Sequence, residues 1–251
     1  MPSIELPAQR IDASHWRELF TQHGRLQDVI RRSQPMRIVC LSDTHNLHDA
    51  IEVPGGDLLV HTGDFSGKGR PAEIAAFGVF LANLPHKHKV IIAGNHDFLF
   101  EEDIEQAKAL LGDVTYLQDS GTEIDGLRIW GSPWQPRFFD WAFNLDRGLE
   151  LKQKWDLIPD ETELLLTHGP PHGTLDITTR GEAVGCEELT LALERVQPRV
   201  HVFGHIHEAY GVLSSDYGLS INACTCDVKY RPVNPPIVFD WIAGSVPSKS
   251  T

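Results

Sequence analysis

Short apolar runs alternate with longer amphipathic segments along the chain from residue 36 onward. Five of the runs are rich in Val, Ile and Leu and have the length of strands. They are RIVCL (37–41), DLLVH (57–61), KVIIA (89–93), ELLLT (163–167) and RVHVF (199–203). Strands that alternate with helical segments indicate βαβ units, so the pattern predicts an α/β fold with a largely parallel sheet.

Three of the intervening segments space their apolar residues as an amphipathic helix does. Residues 71–84 begin at Pro71, which suits a first helical turn, and residues 101–111 are followed by Gly112, which suits a C-cap. The third segment is 187–196. The sequence therefore predicts one helix in each segment.

Two other segments predict antiparallel hairpins added to the parallel core. Residues 123–131 contain Asp125-Gly126, a pair that is typical of tight two-residue turns. Residues 210–223 have a similar pattern. We expect both segments to extend the sheet with antiparallel strands.

Residues 1–35 predict an N-terminal helical extension, and residues 36–251 predict the main domain. A chain of 251 residues that is 41% hydrophobic can bury one large core. The first residues lack the pattern of a secretory signal, and no apolar run has the length of a membrane span. We therefore expect a cytoplasmic protein without a membrane partner, in which the four cysteines are reduced.

The charge of the chain bears on its partners. The formal net charge is −13, whereas a protein that binds a nucleic-acid polymer needs a basic groove for the phosphates. A small phosphate ester is compatible with this charge, because bound metal ions could supply positive charge locally. We expect such an ester, and not a nucleic-acid polymer, as the partner.

Each of the five strand-like runs ends in polar residues. Ligands of α/β sheets bind beyond the carboxyl ends of the parallel strands, so these endings should converge on one crevice. The convergent set is Asp43, His45, Asp64, Asn95, His168, His205 and His207.

Seven donors are too many for one ion of ordinary coordination, and they suit two divalent ions that share a ligand. All donors are imidazole nitrogen or oxygen, which favours Mn²⁺, with Fe or catalytic Zn²⁺ as alternatives. Asn95 would add a carbonyl oxygen without adding charge. Two ions about 3.5–4 Å apart would lower the pKa of a bound water, and the resulting hydroxide would attack phosphorus in line with the leaving oxygen.

The motifs in these endings resemble the signature of the calcineurin-like metallophosphoesterase superfamily. They are Asp-x-His (43–45), Gly-Asp (63–64), Gly-Asn-His-Asp (94–97), Thr-His-Gly (167–169) and Gly-His-x-His (204–207). Longer stretches such as VIIAGNHD, LTHGPP and HVFGHIHEAYG are similar to the small, brain-type branch of metallophosphoesterase-domain proteins. The resemblance implies a four-layer sandwich, in which two facing mixed β-sheets are flanked by helices and the site lies at one edge.

The resemblance also implies how the donors divide between two ions. One ion would be bound by Asp43, His45 and His207, and the other by Asn95, His168 and His205. Asp64 would bridge them. Some relatives in the branch carry Gly in place of His205, so its presence here predicts a complete pair of ions.

His96 is the motif histidine that metal binding does not require. By resemblance, and by its place beside Asn95, it is expected to act as general acid toward the leaving group. Asp97 has two interpretations: it holds the other ring nitrogen of His96, or it is a simple turn residue or helix N-cap before residues 98–111.

Other polar residues near the motifs have simpler interpretations. His61 is expected to be a structural strand residue. His48 and His172 could contact substrate, and Lys68 and Arg70 could contact phosphate, but solvated loop positions are the alternative for all four. Glu208 is expected to support the ligands or the fold.

An aromatic segment lies between residues 130 and 143. It contains Trp130, Trp134, Trp141, Phe138, Phe139 and Phe143. Such a segment is usually part of a core, and its alternative role here is a wall for the substrate.

The resulting hypothesis is a metal-dependent phosphoesterase that hydrolyses phosphodiesters, with cyclic nucleotides among them. A phosphomonoesterase on the same centre is the first alternative. A non-catalytic metal-binding module is a weaker one, because this chain retains every ligand of the motif set. A nuclease would need the basic groove that the charge argues against.

Overall fold

A computed structural model describes residues 35–215 and 218–242, together with the backbone of Ser248–Lys249. The predicted N-terminal helix within 1–35 lies outside the described residues. Among the described residues, no helix combines the length and the apolar character that crossing a membrane requires.

Four strands of the first six-stranded sheet come from the N-terminal half of the described chain, and two come from its C-terminal end. Its strands are β1 (Met36–Leu41), β2 (Leu58–Thr62), β3 (His88–Ile92), β4 (Thr115–Tyr116), β13 (Ile237–Trp241) and β14 (Ser248–Lys249). They lie in the order β14–β13–β1–β2–β3–β4. Strands β1 to β4 are parallel, and β13 and β14 are antiparallel additions at one side.

The second six-stranded sheet collects the C-terminal half. Its strands are β5 (Ser120–Ile124), β6 (Leu127–Ser132), β9 (Leu164–Thr167), β10 (Val200–Phe203), β11 (Gly211–Ser214) and β12 (Leu219–Asn222). They lie in the order β11–β12–β10–β9–β6–β5, with a parallel centre and an antiparallel strand at each edge. A separate pair joins β7 (Gln135–Pro136) to β8 (Asn144–Leu145).

The helices cover the outer faces of the two sheets. They are α1 (Pro71–Asn83), α2 (Leu99–Glu102), α3 (Ile104–Leu111), α4 (Leu149–Trp155) and α5 (Glu187–Val196). Short 3₁₀ turns span His48–Ala50 and His207–Ala209.

Alternate residues of each central strand face two different cores. Ile38 of β1 and Leu164 of β9 lie in one buried cluster between the sheets. Leu59 of β2 packs instead in a cluster with the helices α1 to α3, and Leu165 of β9 packs in a cluster with α4 and α5. Burial on both faces explains the continuous apolar runs of these strands. The order helix, sheet, sheet, helix confirms the predicted four-layer sandwich.

The predicted local elements agree with the structure at most positions. Both hairpins are present, as β5–β6 and β11–β12. Asp125 and Gly126 have φ angles of +48° and +88°, the left-handed values that a tight two-residue turn requires. The predicted helices at α1 and α5 are also confirmed.

The predicted helical segment over 101–111 is present but is divided at one residue. Two helices, α2 and α3, meet at Asp103, whose carboxylate accepts a hydrogen bond from the Gln106 backbone N–H at 3.0 Å. This side-chain cap starts a new helix inside a region of helical periodicity, because Asp competes for backbone donors. Gly112 ends α3 with a φ of +85°, as predicted.

One buried histidine makes the stability of this fold sensitive to acid. His201 in β10 places Nε2 2.8 Å from the Thr167 hydroxyl, and burial lowers the pKa of its imidazole from 6.5 to about 3. The folded protein therefore keeps His201 neutral, whereas the unfolded chain protonates it below about pH 6.5. This contribution to stability is complete above pH 6.5 and is lost as the pH falls toward 3.

We expect His201→Gln, which retains a polar group for Thr167, to flatten the pH dependence of the free energy of unfolding. The flattening should approach about 1.4 kcal/mol per pH unit, because one proton is no longer taken up on unfolding. Urea unfolding of chelator-treated protein between about pH 4 and 7 measures it. The same slope in both proteins would show that His201 does not titrate in this way.

Candidate metal centre

The site lies where the central strands of both sheets end. Four of the seven predicted ligands have left-handed backbone conformations, which are uncommon outside glycine. Their φ angles are +53° at Asp43, +42° at His45, +56° at Asp64 and +67° at His205. Such turns reverse the chain directly after a strand and cost energy, which the surrounding fold must offset. Strain of this kind is typical of functional sites.

The first donor group contains Asp43, His45 and His207. Nε2 of His207 lies 3.2 Å from Oδ1 of Asp43 and 3.2 Å from Nε2 of His45. Nδ1 of His207 donates to the Asp227 carbonyl at 2.9 Å, so a neutral His207 presents a bare Nε2 to its neighbours. Electron-pair donors this close repel one another unless a proton or a cation lies between them. The group therefore fits a metal cation.

The second donor group contains Asn95, His168 and His205. Nε2 of His168 lies 2.9 Å from Oδ1 of Asn95, while its Nδ1 donates to the Thr62 carbonyl at 2.8 Å. The His205 ring lies 5.0 Å from the His168 ring, measured between centroids. As in the first group, a backbone carbonyl orients the imidazole so that its free nitrogen faces other donors.

Asp64 lies close to residues of both donor groups. One ligand atom from each of Asp64, His168 and His205 can be chosen within 4.8 Å of the others, and the same holds for His45, Asp64 and His96. Oδ1 of Asp64 accepts the His96 backbone N–H at 2.7 Å, which leaves Oδ2 directed into the site, 3.4 Å from Nε2 of His168. This position fits a bridging carboxylate. The seven predicted ligands thus lie together, and their binding of metal stays a prediction.

Charge and burial shift the titration of these groups in the direction that a cation site requires. Burial lowers the pKa of His168, but the Asp64 carboxylate more than offsets it and raises the pKa to about 9. Burial also lowers the pKa of His207, but the hydrogen bond and the charge of Asp43 outweigh burial and raise this pKa to about 9. Burial alone dominates at His45 and lowers its pKa to about 4. The carboxylates of Asp43 and Asp64 thus attract positive charge into a buried space.

Glycines make room for the ligands at two points. A Cβ at Gly94 would lie 2.3 Å from Oδ1 of Asp64 and 2.6 Å from Cε1 of His168. A Cβ at Gly204 would lie 2.0 Å from Oδ2 of Asp43. These contacts are far below van der Waals separation, so only glycine permits the ligands to approach the turns.

Asp97 lies in a turn, with its backbone N–H donating to the Gly94 carbonyl at 3.1 Å, but it neither holds His96 nor caps the helix that follows. Its carboxylate accepts hydrogen bonds from the backbone N–H groups of Asp64, Ser66 and Gly94 at 2.8, 3.1 and 2.9 Å, and from the Ser66 hydroxyl at 2.6 Å. It therefore ties the loop after β2 to the loop after β3. Nδ1 of His96 lies instead 2.8 Å from the Gly67 carbonyl, which orients the ring.

Sequence reasoning missed the groups that hold Asp43. Its Oδ2 accepts hydrogen bonds from the Ser42 hydroxyl at 2.6 Å, the His205 backbone N–H at 2.9 Å and the Cys224 thiol at 3.2 Å. Burial raises the pKa of Cys224 well above its usual value, so the sulfur stays a protonated donor. Only Oδ1 is left for a cation. The local sequence around Cys224 carries no signal of this contact, which spans 181 positions.

Most of the remaining polar residues have structural roles. His61 is buried with Nε2 3.1 Å from the Thr44 hydroxyl, as expected of a strand residue. His48 is neither solvated nor at the substrate site, because it is buried against Phe77 and Phe80.

The other polar candidates are more exposed. The side chain of His172 is half-exposed, and its imidazole lies 3.7 Å from the Asp176 carboxylate. The Glu208 carboxylate accepts the Thr179 backbone N–H at 2.7 Å, which fits a structural role. Arg70 is exposed at the start of α1, whereas the Lys68 ammonium lies over the Trp141 ring.

The aromatic segment divides between the core and the site. Phe143 is fully buried in the core, and Phe139 is 74% exposed. Trp141 stacks on His96 with ring centroids 4.1 Å apart. Phe138 meets His205 edge-on at 5.7 Å and lines a cavity of about 420 Å³ in front of the donor groups. The predicted substrate wall therefore applies to one part of the segment.

Tyr230 lines the opposite part of the same cavity. Its ring lies 4.7 Å from the His45 ring and 5.5 Å from the His207 ring, measured between centroids. Its φ of +54° is a strained conformation for an aromatic residue. Asp227 holds this turn, because its carboxylate accepts both the Lys229 and the Arg231 backbone N–H groups.

Comparison with known proteins agrees with this site. The sequence model of the calcineurin-like phosphoesterase family matches residues 36–209, which contain all seven predicted ligands and His96. The chain belongs to this family, and it is a metal-dependent phosphoesterase by that membership. The family implies a centre of two divalent ions, which the two donor groups around Asp64 fit.

Individual relatives cover most of the chain. It is 46% identical to the human protein named metallophosphoesterase domain-containing protein 1, over 87% of this chain and 76% of that one. It is 36% identical to UPF0046 protein K07C11.7 of Caenorhabditis elegans, over 94% and 91% of the two chains. The solved structure of TT1561 of Thermus thermophilus aligns with a TM-score of 0.53 at 14% identity, covering 75% and 89% of the two chains, which supports the fold alone.

Removing the space at Gly94 should disrupt the centre. We expect Gly94→Ala to lower metal affinity by about 10-fold or more, because Asp64 and His168 must move to admit the methyl group. Elemental analysis after gel filtration measures the retained metal. Gly55→Ala is the matched control, since among the described residues nothing lies within 4 Å of its added Cβ. Equal metal content in the two variants would contradict this account of Gly94.

Metal binding should release protons. Below pH 9, His168 and His207 are largely protonated without a cation because their pKa values are raised to about 9. We expect roughly two protons to leave when both cations bind near pH 8, and few near pH 10, so that affinity rises with pH up to this range. Titration calorimetry in buffers of different ionisation enthalpy counts them. Binding without proton release near pH 8 would show that cations do not displace protons from these imidazoles.

Proposed function

We propose that this phosphoesterase hydrolyses small phosphodiesters, with cyclic nucleotides among the candidate substrates. The observation that carries the preference is the pairing of the cavity's arginines. Arg137 donates to Asp146 at 2.7 Å, and Arg147 pairs with Glu187. A monoester dianion favours unpaired cations around its extra charge, whereas a singly charged diester does not need them.

The size and lining of the cavity support the same substrate class. A volume of about 420 Å³ is in the range of small-molecule sites. Phe138 and Tyr230 give it aromatic walls, which suit an organic group on the ester. A net charge of −13 argues against a polymeric phosphodiester. A small diester therefore fits better than a nucleic acid.

In this proposal the protein groups have separate tasks. Bound divalent cations supply a water of lowered pKa and neutralise charge on the phosphoryl oxygens. Asp43, His168 and His207 would hold the cations through atoms whose directions neighbouring groups already fix. His45 would add its Nε2 atom. His96 would act in its imidazolium form, in which Nδ1–H donates to a carbonyl and Nε2–H, 3.9 Å from Oδ2 of Asp64, supplies the proton that the leaving oxygen requires.

A rate panel tests the proposal. We expect metal-loaded protein to hydrolyse an aryl phosphodiester or a 2′,3′- or 3′,5′-cyclic nucleotide with kcat/KM about 10-fold or more above that for an aryl phosphomonoester. A chelator should abolish the activity, and Asp64→Ala should retain neither ion. Faster monoester hydrolysis would make the protein a phosphomonoesterase, and no hydrolysis with two ions bound would favour a binding module. Chelator-insensitive hydrolysis would refute metal dependence.

A further inference from the structure

The ring of His96 is constrained at one nitrogen. Nδ1 lies 2.8 Å from the Gly67 carbonyl oxygen, so its N–H donates there. Nε2 then lies on the side of the metal centre, 3.9 Å from Oδ2 of Asp64. A single hydrogen bond fixes the tautomer but allows the ring to rotate about that bond. Accurate aim of Nε2 requires a second constraint.

Trp141 supplies contact across the face of this ring. The indole and the imidazole are nearly parallel, with an interplanar angle of 28° and centroids 4.1 Å apart. The His45 ring meets His96 edge-on at 4.7 Å. Rotation of His96 about its hydrogen bond would break the stack with Trp141, so the indole limits that motion.

The segment that carries Trp141 is itself fixed to the adjacent loop. The backbone N–H of Ala142 donates to the Asn95 carbonyl at 3.1 Å. The backbone N–H of Phe143 donates to Glu101 at 2.9 Å, and the Phe143 side chain is fully buried. The indole is therefore held in register with the turn that follows β3.

Lys68 adds a contact to the same indole. Its ammonium lies 3.8 Å from the centroid of the Trp141 ring and 6.0 Å from that of Phe98. An ammonium over an indole face is attracted by the electron density of the ring. Because Lys68 follows Gly67 directly, one short loop contacts both the imidazole and the indole that stacks on it.

We propose that Trp141, supported by Lys68, is the positioning residue that aims Nε2 of His96 at the leaving oxygen. This inference rests on the proposed function, in which His96 is the proton donor. It replaces a role of Trp141 as a substrate wall: the described cavity is lined by Phe138, Tyr230 and His96, and Trp141 is not among its lining residues.

The kinetic consequence depends on the leaving group. A poor leaving group such as phenolate needs the proton from His96 during bond cleavage, whereas 4-nitrophenolate leaves with little help. Misplacement of the acid by a fraction of an ångström should therefore slow the first ester more than the second. Loss of a substrate contact would affect both esters alike.

The first test compares ethyl phenyl phosphate with ethyl 4-nitrophenyl phosphate. We expect Trp141→Leu to lower kcat on the phenyl ester about 10- to 100-fold and on the nitrophenyl ester only a few-fold, with KM and the content of two ions unchanged. Trp141→Phe keeps an aromatic face and should recover most of the rate. Equal losses on both esters, a change confined to KM, or a loss of metal would overturn the proposal.

A second readout does not depend on activity. In Zn²⁺-loaded protein, the His96 ring protons can be assigned by their absence in His96→Gln and should be shielded by the stacked indole. We expect Trp141→Leu to move these signals downfield and Trp141→Phe to move them less. Unchanged signals in Trp141→Leu would overturn the proposal, whatever the activity of the protein. Failure of the unmodified protein to hydrolyse either ester would instead refute the proposed function.

The role of Lys68 has a control elsewhere in the fold. The Lys154 ammonium lies 4.2 Å from the centroid of the Trp134 ring, the same type of contact away from His96, and also donates to Asp119 at 2.7 Å. We expect Lys68→Met to reproduce the leaving-group pattern of Trp141→Leu with a smaller loss, and Lys154→Met to change neither ester selectively. The same selective loss in both variants would show that a general effect of cation–π removal, and not support of Trp141, is responsible.

Discussion

The Nε2 atom of His207 and the Oδ1 atom of Asp43 lie 3.2 Å apart, so that a proton or a metal cation must lie between them. The same constraint holds at Nε2 of His168, which faces Oδ1 of Asn95 at 2.9 Å. Positive charge between these atoms turns repulsion into attraction. Protons meet this need when no metal is bound, because the pKa values of both imidazoles are raised to about 9, and two metal cations fit the same places. The rest of the site maintains this arrangement.

Several features of the fold that cost free energy hold these donor atoms close together. Asp43 and Asp64 adopt left-handed backbone conformations. Gly94 and Gly204 have no Cβ atom, so the carboxylates can approach their backbone closely. Asp97 uses its buried carboxylate to tie two strand-end loops together. A four-layer sandwich can support this, because two sheets buried on both faces hold their carboxyl ends rigidly at one edge.

The meeting of the seven candidate ligands could be predicted from the sequence because each follows a recognisable apolar strand within a few residues. Asn95 and His96, for example, come directly after β3. Residues whose roles depend on distant partners could not. Asp97 accepts donors from residues about thirty positions earlier, and Cys224 reaches Asp43 across 181 positions. Periodicity likewise does not reveal the helix break at Asp103, which depends on a local side-chain cap.

The aromatic segment illustrates the same limit. Phe143, Phe138 and Trp141 share one sequence neighbourhood, yet one lies in the core, one lines the cavity and one stacks on His96. Composition predicts burial for all three, and only the tertiary fold separates their roles. In the proposed mechanism, the general acid is thus aimed by a residue that carries no catalytic motif.

Anomalous diffraction from crystals of Mn²⁺-loaded protein tests the central claim most directly. The account predicts two peaks, one among Asp43, His45 and His207 and one among Asn95, His168 and His205, with Asp64 in contact with both. A single peak, or peaks outside these donor groups, would contradict it.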